Sequence, residues 1–268
     1  MNTFPIIDSH THIYNYSENE LKNVMERAFK FGVSSIIDSS VDIASAQKVN
    51  KLSSKNKNIF GGIGMHPQNL KATISKKEIS EIYNYFSNNK KNIVVSEIGL
   101  DFQNDSPDRM IQYDAFRKQI GIARELNKPI IFHSRNSIKE TIKILKEERA
   151  FEVGGAMHYF QSNLNIAKEI TQMGFKLSFA KPLLRNINLE SVIKNISLED
   201  IIIETDSAPQ PFKKNRANWT EPKDCKLIVD KISRIKGYQK DVILQKIFFN
   251  TFNMLKNGSK WLEISHFM

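Results

Sequence analysis

Short apolar runs alternate along the chain with stretches in which apolar residues recur at helical spacing. Leu21, Val24, Met25, Ala28 and Phe29 illustrate the second pattern, because they would share one face of a helix. The apolar runs predict eight strands, at residues 5–8, 35–39, 59–64, 93–98, 129–133, 153–158, 175–179 and 201–205. A strand followed by a helix, repeated eight times, is typical of an α/β protein that forms a single (β/α)8 barrel of the TIM type.

The chain shows no linker rich in proline, glycine or serine, so we expect one folded domain. An open, doubly wound sheet is the competing topology, but the turn after the first strand reads SHTHIYNY and lacks its usual glycines. Two last helices, at about 221–236 and 240–255, would close the outside of the barrel. We therefore predict a barrel domain at residues 1–256 and a C-terminal tail at residues 257–268.

Composition narrows the class of protein. A length of 268 residues with 40% hydrophobic and 25% charged residues is ordinary for a globular protein with a sizeable core. Cys225 is the only cysteine, which excludes an intramolecular disulfide and a cysteine-based zinc cluster. The N-terminus lacks a signal-peptide pattern, and no apolar run approaches the roughly 18 residues of a membrane span. We therefore expect a soluble, cytoplasmic protein.

The net charge leaves two interpretations open. The chain has 39 lysines and arginines against 29 acidic residues, a formal charge of +10. Such an excess favours polyanionic partners such as nucleic acid. Scattered lysines that only solvate the surface would give the same total.

Histidines and carboxylates cluster at the ends of the predicted strands. His10 and His12 are one residue apart, so their side chains should point the same way. In a (β/α)8 barrel the C-terminal strand ends form the active-site rim. Each such residue alone could be an ordinary hydrogen-bonded side chain. Together they are too many ligands for one tetrahedral ion and suit two ions that share a carboxylate. The set is His10, His12, His66, Glu97, His133, His158 and Asp206.

Six motifs, in order along the chain, resemble those of the TatD family of metal-dependent deoxyribonucleases in the amidohydrolase superfamily. They are DSHTHI, GMHPQ, SEIGLDF, KPIIFHSR, GAMHYF and IIIETDSAP, and the match runs from residue 6 to about residue 253. The resemblance implies a (β/α)8 barrel with one or two divalent metal ions, Mg²⁺ or Zn²⁺, with Mn²⁺ also possible. It also implies hydrolysis of phosphodiester bonds in DNA.

Carried over position by position, the resemblance implies the metal ligands His10, His12, Glu97, His133, His158 and Asp206, with Glu97 bridging two ions. It implies a substrate cleft lined by His66, Arg135, Arg216 and Asn218. The loop after the eighth strand also carries Lys213 and Lys214, which we expect to contact phosphates. Two departures from the family pattern concern substrate-facing loops: the extra Ala208, and the absence of a glycine in LSFAKPLLRN.

The predicted function is a DNA hydrolase, most simply a 3′-exonuclease on single strands or 3′ ends, with Asp206 as general base beside Glu97. An amide or ester hydrolase, such as a D-aminoacyl-tRNA deacylase, is an alternative because a metal-activated water also attacks carbonyls. A non-catalytic nucleic-acid-binding barrel is a second alternative, against which the intact ligand set argues. We expect neither a membrane nor an obligatory protein partner.

Overall fold

Eight parallel strands follow one another in chain order around a single sheet. The computed structural model describes residues 4–256 and 259–268, so residues 1–3 of the predicted domain and 257–258 of the predicted tail lie outside it. The strands confirm the predicted (β/α)8 barrel. They are β1 (Ile6–Thr11), β2 (Val33–Ser39), β3 (Ile59–Gly62), β4 (Asn92–Asp101), β5 (Ile130–Arg135), β6 (Gly155–Met157), β7 (Lys176–Phe179) and β8 (Ile201–Ile203).

Helices surround this sheet, and several begin at the residue types that satisfy free backbone N–H groups. The side chains of Ser17, Asp42 and Ser75 accept hydrogen bonds from the first turns of α1, α2 and α3. No helix in the described ranges is long and apolar enough to cross a membrane. The helices are α1 (Glu18–Lys30), α2 (Ile43–Lys55), α3 (Lys76–Asn88), α4 (Arg109–Glu125), α5 (Ile138–Glu147), α6 (Leu164–Gln172), α7 (Ile187–Asn195), α8 (Cys225–Lys236) and α9 (Lys240–Lys256).

The barrel closes where β1 meets the segment that follows β8. The backbone N–H of His12 donates to the carbonyl of Ser207 at 2.8 Å, and the N–H of Asp206 donates to the carbonyl of His10 at 3.0 Å. The seam therefore passes directly through three of the predicted metal ligands.

Some strand boundaries differ from the prediction. β4 is longer than predicted, so Glu97 lies inside the strand and not at its end. β6 is shorter, because Gly154 and Gly155 adopt φ values of 67° and 135° and start the strand late. At Gly155 a Cβ atom would lie 1.8 Å from the carbonyl oxygen of Ile130, so only glycine lets β5 and β6 approach here.

The N-terminal end of the barrel is filled by apolar side chains. Ile7, Phe60 and Ile202 from the strands pack in one cluster with Phe248 and Phe252 of α9. A second, larger cluster lies between the sheet and the surrounding helices. We therefore expect the polar functional side chains at the opposite, C-terminal end of the barrel.

Residues 259–268, the described part of the predicted tail, pack against this apolar end. Phe267 is fully buried; its ring stacks on Phe60 with 4.8 Å between centroids and meets Phe252 at 5.8 Å. Leu262 is buried in the same cluster, and the Ser34 hydroxyl donates to the Phe267 carbonyl. The C-terminal segment thus covers the N-terminal end of the barrel.

Replacing Phe267 by alanine should lower the free energy of unfolding by about 3–5 kcal/mol, because a buried ring is lost and a cavity is left. Urea unfolding followed by circular dichroism measures this. The matched control is Met268→Ala, at a side chain that is 61% exposed, where we expect a change within about 0.5 kcal/mol. Equal stability of the two variants would show that the segment does not support the barrel.

Candidate metal centre

The five histidines predicted at strand ends converge at the C-terminal end of the barrel. His10 lies within β1 and His12 just after it, and their Nε2 atoms are 3.3 Å apart. His133 lies within β5, His158 follows β6, and His66 precedes the 3-10 turn Pro67–Asn69. All but His12, which is partly exposed, are buried.

Glu97 lies at the centre of these histidines, and its two oxygens face different sets of them. Oε2 lies 3.4 Å from Nε2 of His10 and 3.3 Å from Nε2 of His12. Oε1 lies 3.3 Å from Nδ1 of His133 and 3.1 Å from Nε2 of His158. A carboxylate with nitrogen ligands on both sides is suited to bridging two cations.

Asp206 supplies a second carboxylate on the solvent side. Its Oδ1 lies 3.4 Å from Nε2 of His12 and 4.0 Å from Nε2 of His10. A third of its side chain is exposed, whereas Glu97 is buried. Asp206 also has a φ of 54°, so the chain turns sharply as it leaves the barrel seam.

The outer nitrogens of three histidines have hydrogen-bond acceptors. Nδ1 of His12 lies 2.8 Å from the carbonyl of Ser39, Nε2 of His133 lies 2.9 Å from Oδ2 of Asp101, and Nδ1 of His158 lies 2.8 Å from Oε1 of Glu204. These partners hold a proton on the outer nitrogen, so that the inner nitrogen is the one that would offer a lone pair to a bound cation. This arrangement is the one that metal-binding histidines require.

His66 has the opposite arrangement. Its Nδ1 accepts a hydrogen bond from the backbone N–H of Gln68 at 3.2 Å, which leaves the proton on Nε2. Nε2 faces the site, 3.4 Å from Oε1 of Glu97. Burial lowers the pKa of His66 to about 4, so the ring is neutral near pH 7. His66 therefore presents a donor and not a lone pair to the site.

Electrostatics keep Glu97 ionised although it is buried away from solvent. Burial opposes its ionisation, but the charges of the surrounding histidines and hydrogen bonds from His10 and His12 outweigh that effect and keep the pKa of Glu97 well below its usual range. For His12, burial is likewise outweighed, by Glu97 and Asp206, and its pKa rises to about 9. The His12 ring is therefore protonated near pH 7 before a cation binds, and it would have to release its inner proton to become a ligand.

Three groups of side chains, which share members, could each hold a cation. Within each group, the donor atoms lie within 4.8 Å of one another. They fit divalent metal ions in ligand type, since imidazole nitrogen and carboxylate oxygen are the ligands that Zn²⁺ and related cations take. The groups are His10, His158 and Asp206; His10, His12 and Glu97; and His66, Glu97 and His133. The six predicted ligands are all in these groups, with His66 in addition.

Sequence reasoning missed the residues that form hydrogen bonds to the candidate ligands or to the turn beside them. Asp101 and Glu204 orient His133 and His158, and Oδ1 of Asp38 accepts the N–H of Ile13 at 2.7 Å, which fixes the turn after His12. A signal for Glu204 was present, because it stands two residues before Asp206 just as His10 stands two before His12.

Gly99 lets β4 and β5 approach each other closely enough for this geometry. It has a φ of 139°, and a Cβ atom there would lie 2.1 Å from the carbonyl oxygen of His133. Any side chain would push β4 away from β5, and with it Glu97 away from His133.

A cavity of about 490 Å³ opens beside the ligands, and Arg135 lines it together with His133, His158 and Asp206. The Arg135 side chain is 48% exposed, and its Nη1 lies 3.1 Å from Oε1 of Gln103 and 3.7 Å from Oδ2 of Asp101. Among the predicted substrate-binding residues, Arg135 therefore lies where its side chain could contact a molecule bound in this cavity.

Arg216 and Asn218 are not among the described residues that line the cavity. The guanidinium of Arg216 binds the carboxylates of Glu20 and Glu221, and it lies 4.4 Å from the Trp219 ring. This side chain anchors the loop after β8 to α1. A contact of Arg216 or Asn218 with substrate stays a prediction.

Comparison with known proteins identifies the family of this chain. The profile of the family described as "TatD related DNase" matches residues 7–256, nearly the whole chain. The chain belongs to the TatD family. A TatD relative from Bacillus subtilis (strain 168), "Uncharacterized metal-dependent hydrolase YabD", is 32% identical over 237 residues, which cover 86% of this chain and 91% of that protein. The protein is thus a metal-dependent hydrolase of this family.

Two further TatD relatives cover almost the whole length. The Danio rerio protein named "Putative deoxyribonuclease tatdn3" is 31% identical, over 95% of this chain and 97% of its own. The crystal structure of YJJV, a TatD homolog from Escherichia coli K12, superposes with a TM-score of 0.84 at 23% identity, over 93% and 97% of the two chains. This second likeness shows the shared fold.

We expect the purified protein to bind two divalent ions under saturating metal. Glu97→Ala should lose both ions, because the two oxygens of Glu97 face two different sets of histidines. Metal content by mass spectrometry after desalting tests this. Glu199→Ala, at an exposed glutamate that pairs with Lys246, is the control and should retain both ions. One ion in the wild type, or full content in Glu97→Ala, would contradict a bridging carboxylate.

Proposed function

We propose that this protein is a deoxyribonuclease that removes nucleotides from the 3′ end of DNA strands. The observation that carries the proposal is the position of Glu97. Histidine nitrogens lie on both of its sides, and the partly exposed carboxylate of Asp206 lies beside them. Divalent ions held by these residues would supply an activated water, by lowering its pKa from about 15.7 toward 7, and would neutralise charge on a phosphoryl group. The proposed ligands are His10, His12, Glu97, His133, His158 and Asp206.

Asp206 is the proposed general base, and its exposure supports this role. It is the carboxylate of the site that is accessible to solvent, with a third of its side chain exposed. Oδ1 faces His12, which leaves the other oxygen free to take a proton from an attacking water. No side-chain nucleophile is required.

Arg135 and His66 are proposed to bind the scissile phosphate. The Arg135 guanidinium is half exposed in the cavity and presents a planar set of donors suited to two phosphate oxygens. The Nε2–H of His66, which faces Oε1 of Glu97 beside His133, adds a neutral donor. Both side chains donate, which matches a phosphate group, whose oxygens are acceptors.

Cations near the cavity support a polyanionic substrate over an uncharged ester. Lys213 lies in the loop after β8, where burial and the nearby charges of Lys181 and Arg185 lower its pKa. Arg185 is also near Tyr159, a residue that lines the cavity. Lys181 is paired with Asp224 at 2.9 Å, so Arg185 and Lys213 are the cations that would attract phosphates and speed their capture.

The size of the cavity supports action at a strand end. About 490 Å³ is the volume of a site for one small molecule, and its walls are the strand ends and loops around β5 and β6. A terminal nucleotide can enter such a space, whereas the interior of a duplex cannot.

Single-stranded DNA labelled at its 5′ end should be shortened stepwise from the 3′ end by metal-loaded protein, and chelator should abolish the reaction. Gel electrophoresis measures the products. A D-aminoacyl-tRNA assayed in parallel tests the ester-hydrolase alternative. Ester hydrolysis without DNA cleavage would overturn the nuclease proposal, and binding of DNA with hydrolysis of neither substrate would favour a non-catalytic barrel.

Asp206→Asn should lower kcat on DNA by at least about a hundredfold, the scale expected for losing a general base, with a much smaller change in KM. The amide keeps the size of the side chain but cannot accept the proton. Steady-state kinetics on the same strand measure both constants. Asp105→Asn, in an exposed loop, is the control and should be unchanged. Near-normal turnover in Asp206→Asn would exclude Asp206 as the base.

A further inference from the structure

A groove of about 700 Å³ runs along the outside of the barrel between α1 and α2. Its floor is apolar, formed by Leu21, Met25 and Phe29 of α1 and Leu52 of α2. Phe29 is 45% exposed, so part of this floor is open to solvent. The 13 residues of α1 give the groove a length of about 20 Å.

Lysines line the edges of the same groove. Lys48, Lys51 and Lys55 stand at i, i+3 and i+7 on one face of α2, and Lys22 projects from α1. Among the described residues no carboxylate lies within 4.0 Å of these four ammonium groups, although Glu18 and Glu26 also line the groove. The groove therefore carries four lysines that form no ion pair with a described residue, against two glutamates.

One end of the groove lies close to the candidate metal centre. Tyr14 lines the groove, and its ring meets the ring of His12 edge-on, with 6.0 Å between centroids. The Lys48 ammonium lies 6.0 Å from the centre of the same Tyr14 ring. Tyr14 therefore links the groove to the candidate ligands by a direct ring contact.

We propose that this groove binds the single-stranded segment of a nucleic-acid substrate that extends away from the scissile bond; the inference rests on the proposed nuclease function. Single-strand sites combine a cationic track for phosphates with apolar or aromatic surface for bases. Here the lysine row of α2 contacts successive phosphates, while bases lie on Tyr14 and the apolar floor. The regular spacing of unneutralised lysines suits a repeating anion better than an isolated one.

The test compares wild type with Lys48→Ala/Lys51→Ala/Lys55→Ala in metal-loaded protein. Binding of a fluorescent single strand of about 16 nucleotides with phosphorothioate linkages is followed by anisotropy at several salt concentrations. We expect at least about tenfold weaker binding and a salt slope smaller by about 2, since each lost phosphate contact removes about 0.7. Hydrolysis of a dinucleotide, too short to leave the cavity, should be unchanged.

The matched control is Lys168→Ala/Lys194→Ala/Lys260→Ala, which removes the same charge from exposed positions elsewhere and should bind the strand like wild type. If the dinucleotide is hydrolysed but the groove variant binds the long strand normally, the groove proposal is wrong. If wild type hydrolyses neither the dinucleotide nor an unmodified strand, the nuclease function itself is wrong. Displacement of the strand from wild type at lower concentrations of polyglutamate than of unlabelled DNA of equal charge would assign the groove to an acidic polypeptide and overturn the inference.

Discussion

The structure depends on one buried carboxylate, that of Glu97, at the centre of the barrel's C-terminal end. An isolated charge in such a place is very costly, so the surrounding residues must compensate for it. Histidine nitrogens face both of its oxygens, and their outer nitrogens in turn need acceptors, which Asp101 and Glu204 provide. Polar side chains therefore extend outward in layers, and each layer fixes the orientation of the one inside it.

The seam that closes the barrel lies at the same site. The backbone hydrogen bonds that join β1 to the end of β8 are made by His10, His12 and Asp206. Beneath them, Oδ1 of the buried Asp8 accepts the N–H of Thr205 at 2.9 Å. Closure of the barrel therefore brings together His10, His12 and Asp206, three of the six candidate ligands.

Rigidity around the site comes from two different kinds of interaction. At the N-terminal end, apolar packing with α9 and the C-terminal segment fills the barrel. At the C-terminal end, the loop after β8 is held by charge: Arg27 binds Glu221 with two 2.8 Å contacts, and Arg216 joins Glu221 to Glu20. This division into a stabilising end and a chemical end is general for the fold, and it leaves the rim loops free to differ in substrate contacts.

The sequence by itself determined the barrel and placed the candidate ligands on one rim, because strand and helix periods are local and because parallel strands must end on the same rim. It also placed His10 and His12 on one side of the chain. Only the tertiary structure decided which nitrogen each histidine presents, since Ser39, Asp101, Glu204 and the Gln68 backbone come from distant or non-periodic positions. It likewise decided that Arg216 pairs with carboxylates and that the α1–α2 lysines flank one groove, because such pairings depend on how the helices pack.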